Sequence, residues 1–141
     1  MDDAEPDVLA SMANYLKHSG WDPLERWGRE VKVTRAVMGR IDTTVPKRSS
    51  GCRARRELTQ RRPLDEWKTL GVTLPDGAPL PASDAKASLV RGRQRHFLVY
   101  RNYETILDYN CSNAYAVTVG MLADRIGSDR SSQKPKAKSQ K

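Results

Sequence analysis

Residues 97 to 127 constrain this chain more than any other stretch. Phe97, Leu98, Val99 and Tyr100 make a β-prone run, Ile106 and Leu107 form an apolar knot, and Ala116, Val119, Gly120 and Ala123 recur at helical spacing behind Asn113. Between the knot and the helix lies Asp108-Tyr109-Asn110-Cys111-Ser112, a polar turn that carries an aromatic ring. A turn held between a strand and a buried helix presents its side chains from a rigid base, which is where binding groups are usually found. Asn110 and Ser112 also have the chemistry of a helix N-cap. Capping and binding are both open readings of this turn.

With 141 residues, 38% of them apolar and 30% charged, the chain has the length and composition of one soluble globular domain with disordered additions. It can bury one modest core. A single Phe and three Trp leave most of that core to Leu, Val, Ala and Met. No apolar run approaches the ~20 residues of a membrane span. The start, Met1-Asp2-Asp3-Ala4-Glu5, is acidic and no apolar run follows it, so no export signal is expected. Cys52 and Cys111 sit in unrelated contexts and are expected to be free thiols. His18 and His96 are equally isolated, so no metal site and no cofactor are expected.

The net charge of +8 is concentrated. Residues 47 to 62 carry seven Lys or Arg against Glu57, and residues 128 to 141 carry five against Asp129, which leaves the remainder slightly acidic. Segments of this kind bind polyanions without sequence preference, or are simply solvated and disordered. No aromatics are interleaved with the basic residues and no recognition helix is apparent, so specific nucleic-acid binding is not expected.

In chain order, Leu9, Met12, Ala13 and Leu16 make one face of a helix over residues 7 to 19, with Tyr15 at its border, and Gly20 stops it. Trp21-Asp22-Pro23 breaks the pattern, and Val31-Lys32-Val33 is a short β-prone run. From residue 34 to 56 no period is evident, and the segment is expected to be irregular or disordered. Pro63 opens a two-turn helix through Leu64, Trp67 and Leu70, which Gly71 ends. Residues 74 to 82 are a Pro- and Gly-rich connector. Ser88-Leu89-Val90 and residues 96 to 100 flank the turn Arg91-Gly92-Arg93-Gln94 as a β-hairpin. Residues 128 to 141 read as a disordered basic tail.

Four of these blocks, in this order, resemble the C-terminal part of bacterial lytic murein transglycosylases of the membrane-bound B type. They are the helix with Ala13-Asn14-Tyr15 and Gly20-Trp21, the stretch Trp27-Gly28-Arg29-Glu30-Val31, the element from Arg62-Pro63-Leu64 to Leu70-Gly71-Val72, and residues 103 to 115 with Tyr109, Asn110, Ser112 and Tyr115. The resemblance implies an α+β, mostly α fold: an incomplete lysozyme-like domain over residues 7 to 127, with a small β-hairpin and disordered basic segments. It implies a peptidoglycan strand as partner, cleaved between N-acetylmuramic acid and N-acetylglucosamine to leave an anhydro end. The implied location is the periplasm or cell envelope.

Carried over residue by residue, the family's glycan groove would be lined by Tyr15, Tyr109, Asn110 and Tyr115. Amides and hydroxyls of these types suit sugar hydroxyl and N-acetyl groups, and the rings suit sugar C–H faces. The family's catalytic glutamate precedes the Ala-Asn-Tyr helix, so it is expected to be missing here, as in a truncated or frame-shifted enzyme that needs an N-terminal half. Glu25-Arg26-Trp27-Gly28 resembles the surroundings of that glutamate only with a one-residue deletion. Glu25, with Glu66 and Glu104, is therefore expected to be a surface carboxylate. The competing readings are an active transglycosylase using Glu25 and a basic protein that binds nucleic acid non-specifically.

Overall fold

The computed structural model describes residues 14–15, 18–22 and 25–133, with side chains as far as residue 125. The helix expected over residues 7 to 19 lies mostly outside that range. Asn14, Tyr15 and His18 are helical, and His18 Nδ1 lies 2.8 Å from the Asn14 carbonyl oxygen.

A four-stranded antiparallel sheet forms the middle layer. Its strands are β1 (Gly28–Val31), β2 (Arg62–Pro63), β3 (Lys86–Arg91) and β4 (His96–Val99), in the order β1-β4-β3-β2. The expected hairpin is present, with Arg91 paired to His96 and Ser88 to Val99. Side chains alternate across it as a strand requires. Ala87, Leu89 and Leu98 face one apolar cluster, while Val90, Phe97 and Val99 face another. The single core expected from composition is thus two layers, one on each face of the sheet.

The first layer is built by α1 (Arg35–Thr44) and α3 (Leu64–Leu70), with the four-residue α2 (Arg53–Arg56) between them in sequence. Helix α1 corrects the expectation of disorder over residues 34 to 56. Val37, Ile41 and Val45 fall at i, i+4 and i+8 and are all buried, so the stripe is one residue wide per turn and easily overlooked among arginines. Thr34 caps the helix, its hydroxyl accepting from the Val37 N–H at 3.2 Å. Helix α3 follows its signals: Pro63 is the N-cap residue, and Gly71 ends the helix in the left-handed region at φ 111°. Trp67 is fully buried and its indole N–H donates to the Ala87 carbonyl at 3.0 Å, which ties α3 to the sheet. Burying side chains of this size contributes about 1.5–3 kcal/mol each.

The second layer is built by α4 (Arg101–Tyr109) and α5 (Asn113–Gln133), packed on Trp27, Phe97 and Val99. The Ile106-Leu107 knot is the core of α4, a helix in which every residue from Asn102 to Leu107 is buried. The polar turn is therefore held between two helices, not between a strand and a helix. On α5, Ala116 and Gly120 are buried, Val119 is half-buried and Ala123 is exposed, so the buried stripe is narrower than its spacing suggested. Gly120 sits against Trp27, where a Cβ would lie 2.4 Å from the indole ring. The indole N–H donates to Asp124 at 2.9 Å, so one tryptophan fixes a full turn of α5. Helix α5 also continues to Gln133, past the expected start of the tail at residue 128; once nucleated, each added residue gains a hydrogen bond. Residues 134 to 141 lie outside the described range.

Candidate functional site

The α4–α5 turn gathers the aromatic residues singled out from sequence. Tyr109 is the last residue of α4, and Asn110 is its C-cap, with the Asn110 N–H donating to the Ile106 carbonyl at 3.0 Å. Ser112 then caps α5: its hydroxyl accepts from the Tyr115 N–H at 3.2 Å, and its carbonyl accepts from the Ala116 N–H at 2.9 Å. Of the two residues with N-cap chemistry, Ser112 performs the capping. Asn110 is exposed in an extended conformation.

Tyr109 and Tyr115 lie nearly parallel, with ring centroids 6.4 Å apart and planes at 20°. Tyr15 approaches from the N-terminal helical residues, its centroid 4.9 Å from that of Tyr109 and tilted by 58°. Three rings from three elements make one aromatic patch, and Tyr109, at 40% exposure, is its open face. Burial, and then the neighbouring Tyr109, push the Tyr115 hydroxyl above its ordinary value, so it stays a neutral donor. Such a patch offers ring faces, hydroxyls and one amide to a ligand with C–H faces and polar rims.

Beneath the turn, three arginines of the basic segment form an ordered brace. Glu104, expected at the surface, is buried on α4 and is met by Arg48, Arg55 and Arg61 at 2.6 to 2.9 Å. Arg48 also donates to the buried Ser88 hydroxyl at 2.6 Å, and Arg55 reaches Asp108 one turn along α4. Burial pushes the Glu104 carboxyl upward, but the hydrogen bonds and charges of Arg48 and Arg61 outweigh it and hold the pKa at about 2. A carboxylate this thoroughly paired is locked in its ionised form. The sequence signal was faint: an acid within the otherwise buried run from Tyr103 to Leu107, and an excess of arginine with too few local acids.

A second fastening corrects the expectation of free thiols. Cys52, which precedes α2, forms a disulfide with Cys111 in the α4–α5 turn, across 59 residues of sequence and with Cα atoms 6.4 Å apart. Cysteines that far apart carry no local spacing pattern, which is why composition could not pair them. Asn113 reinforces the same junction. Its amide donates to the Ala54 carbonyl and to Glu57, both at 3.1 Å, and its side-chain oxygen accepts from the buried Tyr103 hydroxyl at 2.7 Å. Burial, and the charge of Glu57, push that hydroxyl well above its ordinary value.

Glu25 is an exposed loop residue at the edge of a groove of about 350 Å³ that also contains Arg26, Arg29 and Tyr100. Its backbone carbonyl accepts from the buried Asn102 amide at 3.0 Å, which fixes the loop without enclosing the carboxylate. Glu66 is partly exposed beside Arg62, as expected of a surface residue. A wider groove of about 830 Å³ runs between the hairpin tip and α5, past Phe97, Val117 and Met121, and includes none of the tyrosines. Among the described residues no cluster of His, Cys, Asp or Glu could hold a metal ion.

The chain and its fold match known proteins. The family model described as the transglycosylase SLT domain matches residues 1–124. The chain belongs to the transglycosylase SLT domain family. Among solved structures it is similar to SltB3 from Pseudomonas aeruginosa in complex with NAG-anhNAM-pentapeptide, at 42% identity and a TM-score of 0.63, over 84% of this chain and 29% of that one. The same enzyme in complex with NAG-NAM-pentapeptide gives 40% identity and a TM-score of 0.62. The Escherichia coli lytic transglycosylase Slt35 in complex with bulgecin A shares the fold at 22% identity and a TM-score of 0.54, over 88% of this chain and 35% of that one. This chain thus spans about a third of the length of these enzymes, and its mixture of helices with a small antiparallel sheet is that of the lysozyme-like transglycosylases. No curated protein matches the sequence. Among the described residues no helix is long and apolar enough to cross a membrane.

Proposed function

We propose that this chain is the glycan-binding portion of a lytic murein transglycosylase, and that Tyr15, Tyr109, Asn110 and Tyr115 contact the peptidoglycan strand. The observation that carries this reading is the convergence of three tyrosines from three elements on one exposed turn, in a chain 42% identical to an enzyme solved with NAG-anhNAM-pentapeptide. In this reading the rings pack on sugar C–H faces, and Asn110 supplies a donor and an acceptor to an N-acetyl group.

Catalysis in our reading depends on an acid from elsewhere in a longer protein or from a second chain. Protonating a glycosidic oxygen at neutral pH needs a carboxyl kept neutral by an apolar enclosure. Among the described glutamates, Glu104 is held ionised by arginines, Glu30 is paired with Arg95, Glu57 with Arg53 and Glu66 with Arg62, and Glu25 stands in solvent. The Cys52–Cys111 disulfide supports a location in the oxidising cell envelope, where such bonds persist.

The test is incubation of the purified chain with murein sacculi, followed by mass spectrometry of the soluble products and by pelleting of bound protein. We expect binding to sacculi with no anhydro-muropeptide released. Anhydro product that disappears in Glu25→Gln would instead make Glu25 the acid of an active enzyme.

A further inference from the structure

Cys111 directly follows Asn110 and lies two residues from Tyr109, so the disulfide enters the binding turn at its centre. Cys52 stands at the head of α2, and α2 is held to α4 by Arg55, which donates to the Glu104 carboxylate at 2.7 Å and to the Glu104 carbonyl at 3.0 Å. The brace is therefore anchored independently of the cysteines, along the buried side of α4. Arg55 also holds Asp108 before the turn and Asn113 holds Ala54 and Glu57 after it, while the disulfide, aided by the Ala54 N–H at 3.4 Å from Cys111 Sγ, is the covalent tie at the middle of the turn. Cys111 is exposed and Cys52 is half-buried. The exposed cysteine of the pair is the one that lies in the turn.

We propose that the Cys52–Cys111 disulfide is a positioning element for the binding turn, holding Tyr109 and Asn110 in register with Tyr15 and Tyr115, and that its reduction by a dithiol weakens binding of muropeptide. The inference rests on the glycan-binding reading above. In the reductive step a dithiol's thiolate attacks Cys111 Sγ, the S–S bond breaks, and Cys52 leaves as a thiolate. The dithiol's second thiol, deprotonated, then displaces Cys111. The products are two protein thiols and one oxidised dithiol, with two electrons and two protons transferred. The protein loses a tether while the arginine brace remains on Glu104. Asn110, which directly precedes Cys111, must then be re-ordered by the ligand, and re-ordering one residue's backbone costs about tenfold in affinity.

The experiment titrates N-acetylglucosamine–anhydro-N-acetylmuramic acid pentapeptide into the full chain, oxidised, reduced with a dithiol, and reoxidised, with near-ultraviolet circular dichroism of each form. Tyr109→Ala is titrated in the oxidised and reduced backgrounds, and Cys52→Ser replaces chemical reduction in a parallel series. The expected result is folded protein in every form, about tenfold weaker binding on reduction and in Cys52→Ser, and recovery on reoxidation. Tyr109→Ala should cost less in the reduced background than in the oxidised one, because a ring already out of register has less to lose. Equal affinity of folded oxidised and reduced forms overturns the proposal and leaves the glycan-binding reading intact. Loss of the near-ultraviolet signal on reduction overturns it in favour of a bond that holds the fold. Absence of binding by the oxidised protein removes the glycan-binding reading itself, and the proposal with it.

Discussion

Helix α4 presents polar side chains in two contrasting ways. Along its buried side Glu104 meets three arginines, and every strong interaction it can make is satisfied inside the protein. At its C-terminal end Tyr109 and Asn110 are exposed. A polar group consumed by internal partners holds the fold, whereas one aimed at solvent from a rigid base is available to a ligand. Arg48, Arg55 and Arg61 of the charge-rich segment belong to the first kind. The quieter turn beside it belongs to the second.

The sharpest way to break this contrast is to remove Glu104. Glu104→Gln leaves three arginines facing a neutral amide, and breaking a mostly buried ionic cluster from one side costs about 3 kcal/mol. Urea unfolding should show the loss. A change below about 0.5 kcal/mol would mean that the brace is only a solvated surface network.

Next in size is Gly120→Ala. The added methyl meets the Trp27 ring at 2.4 Å, and neither a fused ring nor the buried α5 backbone gives way easily. Overpacking of this kind costs roughly 2 kcal/mol. Thermal unfolding measures it, and an unchanged midpoint would show that α5 is free to move away from the sheet.

Acid should separate the two regions further. The Glu104 carboxyl is held at about 2, below its ordinary 4.5, so its contribution to stability is complete above pH 4.5 and is lost as pH falls toward 2. A stability profile over that window should slope downward into acid, and Glu104→Gln should flatten it. An identical slope in the variant would assign acid lability to other carboxylates.

How far the sequence disclosed these regions follows from how local their signals are. Helix α3 was legible because Pro63 and Gly71 mark its two ends, and the hairpin was legible because two β-prone runs flank a four-residue turn. The family resemblance singled out the turn, and the structure places the Tyr109 ring against both Tyr15 and Tyr115. Helix α1 was missed because Val37, Ile41 and Val45 give only one apolar residue per turn among charged neighbours. Helix α4 was missed for the opposite reason: Asn102, Glu104 and Thr105 are polar yet buried, and they blur the apolar period. Burial of Glu104 depends on arginines 43 to 56 residues away, and the disulfide spans 59. No window of local pattern contains either.

The smallest expected effect is the most informative. Asn110→Ala deletes an exposed amide, so unfolding stability should stay within about 0.5 kcal/mol of the parent. A hydrogen bond to a sugar group is worth about 0.5–1.5 kcal/mol, which lowers muropeptide affinity roughly threefold to tenfold. Tyr→Phe changes at 15, 109 and 115 separate hydroxyl contacts from ring stacking in the same assay.

The most direct test of the account is an NMR titration of the full oxidised chain with muropeptide, following backbone amides of both regions in the parent and in Asn110→Ala. The account predicts shifts concentrated at Tyr15, Tyr109, Asn110 and Tyr115, with little change at Arg48, Arg55 and Arg61, and weaker binding in the variant. Shifts concentrated on residues 47 to 62, with Asn110→Ala binding as tightly as the parent, would contradict it.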